Sequence, residues 1–557
     1  MSVQSLAQFS FSPQSPLYCL PSSPCWPSQA AWDSFNSSIS GRLIQPSPLP
    51  LSCIAPDCFD PQYRIAQPGA VMFLNFETGL GLEELNTTQS VEGAKEEAKD
   101  RTPKYLVAAK TSRDVVQAVL FAREHRLKLR IKNTGHDYLG RSSGSDTFTI
   151  WTHHLSSISF DPQFVPAGAP AGTEPQSALS AGAGATVYAL NLAAYEAGVL
   201  VPAGVSKTVG AAGGFVLGGG HGPLAPLLGL AADNVLEFTL VIANGSIITA
   251  SRYSNPSLFT SLLGGGASSY GVILETVFKT SPAPDGIVGI FGTFAVKSDA
   301  EKEKGDESWQ RLIKGWIDLQ PELSDAGPFA GYTYVRRPLP TPFAYILPSS
   351  DIALARQHFD TFFEPFKTDP SLDINYHYHE TSTWFELWNG EFTEALHSLD
   401  EVGINLLLGS RLVPRQVVED KSLELSTFLA ESKSPSIVHL VAGNAVSREP
   451  EFPSSVNPAW RSTLLHIDLP ISFPSNAPSS TISSLKSYLS SITSKLGSIA
   501  SSLGHPEASY SSESNYFEDE DKWREIWFGR ENAQRLWEEK EKWDCEGVFS
   551  GRRTVGQ

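Results

Sequence analysis

The chain has 557 residues, 41% hydrophobic and 18% charged, with a formal net charge of -18. This is a globular composition, long enough for more than one domain, and its acidity excludes a general nucleic-acid binder and disfavours anionic membrane surfaces. No apolar run approaches the roughly 20 residues that span a bilayer.

Residues 1–98 are rich in Pro, Ser and Cys and show little periodicity. Cys19, Cys25, Cys53 and Cys58 cluster here, far from Cys545. Their grouping predicts two disulfides and an oxidising compartment, with Cys545 left free. The spacings give no paired CxxC knuckles, which weakens a metal reading. The first residues carry neither a basic stretch nor a clean apolar run, so no cleavable signal peptide is visible. The two compartment signals therefore stay opposed: secretory or extracellular on the cysteines, cytoplasmic on the leader.

From Pro103 the pattern changes. "KYLVAAK" reads as a buried strand and "SRDVVQAVLFAREHRL" as an amphipathic helix, capped by Ser112, with Val115, Val116, Val119 and Leu120 on one face. "LKLRIKN" alternates as a strand. "FTIWTHHL" is another strand, and "SALSAGAGATVYALNLAAYEAGVLVPAG" a strand, a glycine turn and a helix. "VLEFTLVIANGSIITAS" predicts a hairpin turning at Asn244-Gly245. Asn244 also opens an N-x-S sequon, as Asn36 and Asn86 open N-x-S/T sequons, but the tight turn is the preferred reading of Asn244. Residues from 283 onward predict a second α/β domain. In "STISSLKSYLSSITSKLGSIASSLG", Leu485, Tyr488, Leu489, Ile492, Leu496, Ile499 and Leu503 recur at helical spacing, with Gly504 as the stop. "RENAQRLWEEKEKW" is a further helix near the C-terminus.

Two segments carry chemistry. "TGHDYLG" sets His136 in a glycine turn straight after a strand, and Gly204 to Asn234 is the densest glycine region. Glycine lets backbone approach a ligand closely and offers N–H groups to phosphate or ring oxygens. No GK[ST] follows, so this is not a P-loop, and "GAGATV" at Gly182 is not a clean dinucleotide fingerprint.

The combination resembles the vanillyl-alcohol-oxidase/PCMH-type FAD-linked oxidoreductases, and within them the fungal berberine-bridge-enzyme-like branch. The matching stretches are "IKNTGHDYLGRSSG", "PAGVSKTVGAAGGFVLGGGHGPLAPLLGLAADNV", "LLGGGASSYGVI", "SVNPAWRSTLLH" and "KWDCEGVF". The N-terminal "CLPSSPCWPSQAAWDSFN…GRLI" matches that branch too, so the resemblance covers nearly the whole chain. It implies an α+β fold: a two-subdomain PCMH-type FAD-binding domain at 99–282 and a substrate domain with an antiparallel sheet at 283–504. An N-terminal extension (1–98) and a C-terminal segment returning to the FAD domain (505–557) complete it. It further implies FAD bonded covalently through His136, cradled by Asn133, Thr134, Gly135, Asp137, Tyr138 and Gly140. The glycine segment would contribute Ser206, Val209, Gly210, Gly213, Gly214, Gly219, Gly220 and His221, and Val272 would follow from the third stretch.

Many relatives attach the flavin a second time through a cysteine where Ser206 stands. A serine cannot form that thioether, so one link is expected. Leu263 replaces an arginine common before the glycines, which removes a phosphate contact. Val209, three residues after Ser206, is the position that the resemblance assigns to gating O₂. In "INYHYHETSTWFELW" a strand would put His377 and His379 on one face and Tyr376 and Tyr378 on the other. The histidines then read either as a catalytic base at the substrate face or as ordinary surface or core residues; a metal reading lacks a third ligand. The "SVNPAWR" stretch has no chemical role at this level. The function expected is an FAD-dependent oxidase taking a hydride from a small organic substrate, an alcohol or secondary-metabolite intermediate, with O₂ as acceptor. An oxidative cyclase and a non-catalytic secreted flavin-binding protein are the alternatives. No metal, nucleic-acid or membrane partner is expected.

Overall fold

Residues 18–47, 59–74, 102–397, 402–474, 477–551 and 553–556 are described by the computed structural model. Three sheets carry most of the architecture. The first orders Leu43–Ile44, Tyr105–Ala108, Phe148–Trp151 and Leu129–Lys132 side by side, the last three mutually parallel. Parallel strands need a crossover, and Ser112–Glu124 supplies it. Its N-cap is Thr111 rather than Ser112: the Thr111 hydroxyl accepts from Asp114 N–H, and Asp114 in return accepts from Thr111 N–H. This reciprocal capping box makes Ser112 the first helical residue. The helix buries Val115, Ala118, Val119 and Ala122 against Trp32 and Phe35. Leu120 sits outside that face, 37% exposed, because the stripe turns through the two alanines.

The second sheet is antiparallel, in the order Ile247–Ser251, Val235–Ile242, Gly271–Lys279, Gln176–Gly182 and Ile158–Phe164. Its hairpin turns at Asn244-Gly245, where Gly245 takes φ +82°, the left-handed region such a turn demands.

The third sheet has eight strands: Leu372–Thr381, Ile287–Val296, Thr341–Leu347, Ala330–Val335, Ser436–Leu440, Thr463–Phe473, Ile404–Pro414 and Phe73–Leu74. The first seven pair antiparallel and the last parallel. Side chains alternate between its faces. Val288, Ile290, Phe343, Val438, Leu465 and Ile467 point to one side, where the helices Lys302–Ala326, Ile352–Lys367, Ser422–Ala430 and Ser479–Ala500 cover them. Trp309 and Trp316 fill that layer. Leu503 lies beyond the last of these helices, exposed and at φ +61°, so the apolar stripe ends before it. The opposite face of the sheet looks toward the first two sheets.

The N-terminal region is not a mere extension, since it contributes a strand to the first sheet and another to the third. It contains the disulfide Cys19–Cys25. Cys53, Cys58 and Asn86 lie outside the described residues, so the second expected disulfide does too. Cys545 is exposed and free. The C-terminal segment packs back across the molecule: Tyr270 donates to Leu536 C=O, and Lys540 to Ser269 C=O. Among the described residues no helix is long and apolar enough to cross a membrane.

Arg411, with 2% of its side chain exposed, pins this segment by pairing with Glu507 and Glu518, both at 2.6 Å. Removing one partner of such a pair strands the other charges, so Arg411→Ala is expected to lower stability by about 3–5 kcal/mol. Denaturant unfolding followed by tryptophan fluorescence would show it as a lowered midpoint.

Candidate active site

A cavity of about 650 Å³ lies where the turn after Leu129–Lys132, the glycine segment and the inner face of the eight-stranded sheet meet. Asn133, Thr134, Gly135, His136, Asp137 and Tyr138 line it from the turn; Ser206, Val209, Gly210, Gly213, Gly214 and His221 line it from the glycine segment. The N-terminal region adds Phe59, Gln62 and Phe73.

The backbone of the turn explains its composition. Gly135 has φ +87°, and a Cβ there would meet Val71 Cα at 3.1 Å. A Cβ on Gly210 would fall 2.1 Å from Asn133 Nδ2, so the two segments touch only because one of them is glycine. Asn133 donates to Ala183 C=O at 2.6 Å, and its buried Oδ1 has no partner among the described residues. Asp137 is neutralised by Arg141 at 2.5 Å.

His136 stands at the centre. Its Nε2 shares a 2.7 Å hydrogen bond with Thr208 Oγ1, and its ring meets Phe73 edge-on at 6.1 Å. Burial pushes the imidazole down to about 3, so it is neutral at physiological pH.

Four residues expected at the cofactor do not line this cavity. Gly140 shapes the turn from behind, its N–H bonded to Asp137 C=O. Gly219 and Gly220 accept from Ala232 and Ala231 N–H beneath the segment, and a Cβ on Gly220 would strike Phe215 and Ala231 at 2.8 Å. Val272 is fully buried in the core of the first sheet, because strand alternation gives the cavity its neighbours Gly271 and Ile273 instead. Leu263 is also core rather than cavity wall.

The expectation that His377 or His379 faces the substrate needs correction. The alternation is as expected: Tyr376 and Tyr378 donate to Asp360 on the helix side, and both histidines point the other way. But their strand is the outermost of the sheet, so that face opens to solvent there. The two side chains are 60% and 46% exposed, bind Glu391, and lie outside the cavity wall.

The inner face nearer the middle of the sheet holds the residues that sequence reading missed. Tyr332, His439 and His466 stand side by side on three neighbouring strands, by the registers Tyr332↔His439 and His439↔His466. Asp468 follows two residues after His466, on the same face. Glu513 arrives from the C-terminal segment, 3.0 Å from His221 Nε2 and 3.5 Å from His466 Nδ1. Burial first, then the neighbouring His221, holds His439 and His466 well below the usual imidazole range. Burial, then Glu513, raises the Asp468 carboxyl well above the usual range. The signal was present in "HLV" and "LLHIDLPI": single polar residues at alternate places in otherwise apolar strands. The "SVNPAWR" stretch acquires a role here as well. Arg461 grips Asp233 at 2.7 Å and Trp460 packs 5.8 Å from the rings of His221, His466 and Tyr510.

Residues 103–251 match the FAD binding domain family. An FAD-linked oxidoreductase of Arthroderma benhamiae, itself uncharacterized, is 31% identical over 97% of this chain and 93% of its own length. The chain belongs to the FAD-linked oxidoreductases. Its fold is that of a VAO-type flavoprotein from Myceliophthora thermophila, with TM-score 0.81, 23% identity and coverage of 98% and 97% of the two chains. The glucooligosaccharide oxidase of Acremonium strictum, which carries a 6-S-cysteinyl, 8α-N1-histidyl FAD, is similar at TM-score 0.65 and 18% identity, over 82% of this chain and 93% of that one.

The oxidoreductase's cavity fits FAD on its own geometry. Gly213 and Gly214 line it, and a Cβ on either would meet nothing nearer than 3.6 Å, so open space begins at the backbone. The neutral imidazole and the orphaned Asn133 Oδ1 supply polar contacts beside that open backbone. His377 and His379 lie away from it, and replacing both by alanine is expected to leave flavin reduction by substrate within about twofold of the parent, the range of ordinary surface substitutions. Single-turnover stopped-flow would check this.

Proposed function

We propose that this enzyme is an FAD-dependent oxidase that takes a hydride from a small organic substrate, with O₂ as the final acceptor and the flavin attached once, through His136. The observation that carries the attachment is the state of that imidazole: buried, neutral, and fixed at one nitrogen by Thr208. In the tautomer whose Nε2–H donates to Thr208 Oγ1, the lone pair falls on Nδ1, and a neutral imidazole nitrogen is a competent nucleophile. The Acremonium oxidase carries a histidyl link of this type. Ser206 in the cavity wall offers no thiol, which supports a single bond rather than two. Bound FAD supplies the hydride acceptor and its reoxidation by O₂.

The protein's part is positional. The turn holds His136, the glycine segment brings backbone close, and the inner face of the sheet closes the cavity opposite. An alcohol or secondary-metabolite intermediate is the substrate class that the family resemblance implies.

Acid precipitation tests the attachment. Flavin absorbance should stay with the wild-type pellet and pass to the supernatant for His136→Ala. A wild type that releases its flavin would overturn the single bond.

Val209 lines the cavity three residues beyond Ser206, and its C=O accepts from Val187 N–H, which holds its side chain in place. A larger side chain would fill the gap through which O₂ approaches. Overpacking of about 1–3 kcal/mol corresponds to about 5- to 140-fold in rate. Val209→Leu is therefore expected to slow reoxidation by that factor while leaving reduction by substrate nearly unchanged. Mixing substrate-reduced enzyme with oxygenated buffer checks it, and equal reoxidation in both forms would remove Val209 as the gate.

A further inference from the structure

Three imidazoles and a carboxylate converge on one end of the cavity from four stretches of chain: His221, His439, His466 and Glu513. One ligand atom from each lies within 4.8 Å of all the others. Donors bound 2.0–2.1 Å from a tetrahedral ion stand about 3.3 Å apart. The separations from Glu513 Oε2 to His221 Nε2, 3.0 Å, and to His466 Nδ1, 3.5 Å, straddle that value. The other donor pairs all stay within 4.8 Å, a spread that an ion would draw in.

The electrostatics of the site are incomplete as protein alone. His221, His439 and His466 are only 7%, 5% and 0% exposed. Yet neither ring nitrogen of His439 or His466, nor Nδ1 of His221, makes a hydrogen bond among the described residues. Buried polar atoms are rarely left so. Two carboxylates, Glu513 and Asp468, share the same enclosure, and no lysine or arginine among the described residues pairs with either. A divalent cation answers both deficits at once.

The geometry points to a metal site: we propose that His221, His439, His466 and Glu513 bind a borderline divalent transition ion, zinc being the simplest member of the class. Three imidazoles and one carboxylate suit such ions and not calcium or magnesium. Asp468 completes the arrangement from outside. Its Oδ1 lies 3.2 Å from His466 Nε2, and its carboxyl also stands next to that of Glu513. A carboxylate that turns onto a ligating histidine once an ion is bound would fix that ring's tautomer and strengthen it as a donor. Trp460 and Tyr510 pack around the rings and limit water. His221, His439 and Glu513 also line the cavity, so a fifth coordination position, opened by expansion from four to five ligands, would face it. A hydroxyl or carboxylate oxygen of the substrate is the group it would hold. Only this last statement rests on the function proposed above.

The test uses the flavin-containing enzyme, dialysed against a chelator and then titrated with Zn²⁺. Wild type should take up one equivalent per chain, measured by plasma mass spectrometry, and diffraction at the zinc edge should place an anomalous peak between the four donors. His439→Asn and Glu513→Gln should each weaken binding by ~100-fold or more, since even outer partners of metal ligands are worth 10–100-fold. Tyr332→Phe, beside His439 but not a donor, should keep full occupancy. Visible flavin absorbance per chain, unchanged across the set, shows the fold is intact. Zinc uptake below a tenth of an equivalent by wild type, or equal uptake by the donor variants, would overturn the site. Flavin lost on acid precipitation with zinc retained would sink the covalent link and leave the metal site standing.

Discussion

The two-sidedness of the eight-stranded sheet is the constraint on which the rest depends. Each strand must send alternate side chains to opposite faces. One face is apolar and sealed by four long helices, with Trp309 and Trp316 between. That leaves the other face free to carry Tyr332, His439, His466 and Asp468 into a closed space. The same rule that builds the core therefore aims the polar groups. A one-residue slip in any of the three central strands would exchange the two sets and ruin both.

Opposite that face, the cavity depends on how closely two loops can approach. The turn holding His136 and the segment holding Val209 and Gly210 are in contact through Asn133 and a glycine with no side chain. Thr208, two residues before Gly210, is thereby brought to His136. Packing and chemistry are linked here. The close approach that buries the imidazole also keeps it neutral and gives it its hydrogen bond to Thr208.

The chain ends complete the enclosure. Arg411 ties down the loop between Glu507 and Glu518, and that loop carries Tyr510 and Glu513 to the cavity. The N-terminal region adds Phe73, whose ring stacks on Tyr138. No single stretch owns the site. Its two walls are assembled from residues hundreds of positions apart, which is why local folding defects far from the cavity should reach it.

Much was legible in the sequence alone. The glycine turn around His136, the glycine segment after Ser206, the hairpin at Asn244-Gly245 and the strand–helix–strand opening at Tyr105–Lys132 follow from local rules of propensity, turn geometry and periodicity. The alternation of "INYHYHET" was legible too. What local rules do not contain is which strand stands at an edge. His377 and His379 alternate along their strand as His466 and Asp468 do along theirs, yet only the second pair is buried, because strand order puts that strand inside the sheet. Val272 and Gly271 likewise lie on opposite faces of one strand, and only the packing around that strand makes one face core and the other cavity. Periodicity determines that a side chain points one way or the other. Tertiary pairing decides whether that direction is solvent, core or cavity, since burial depends on neighbours supplied from distant parts of the chain.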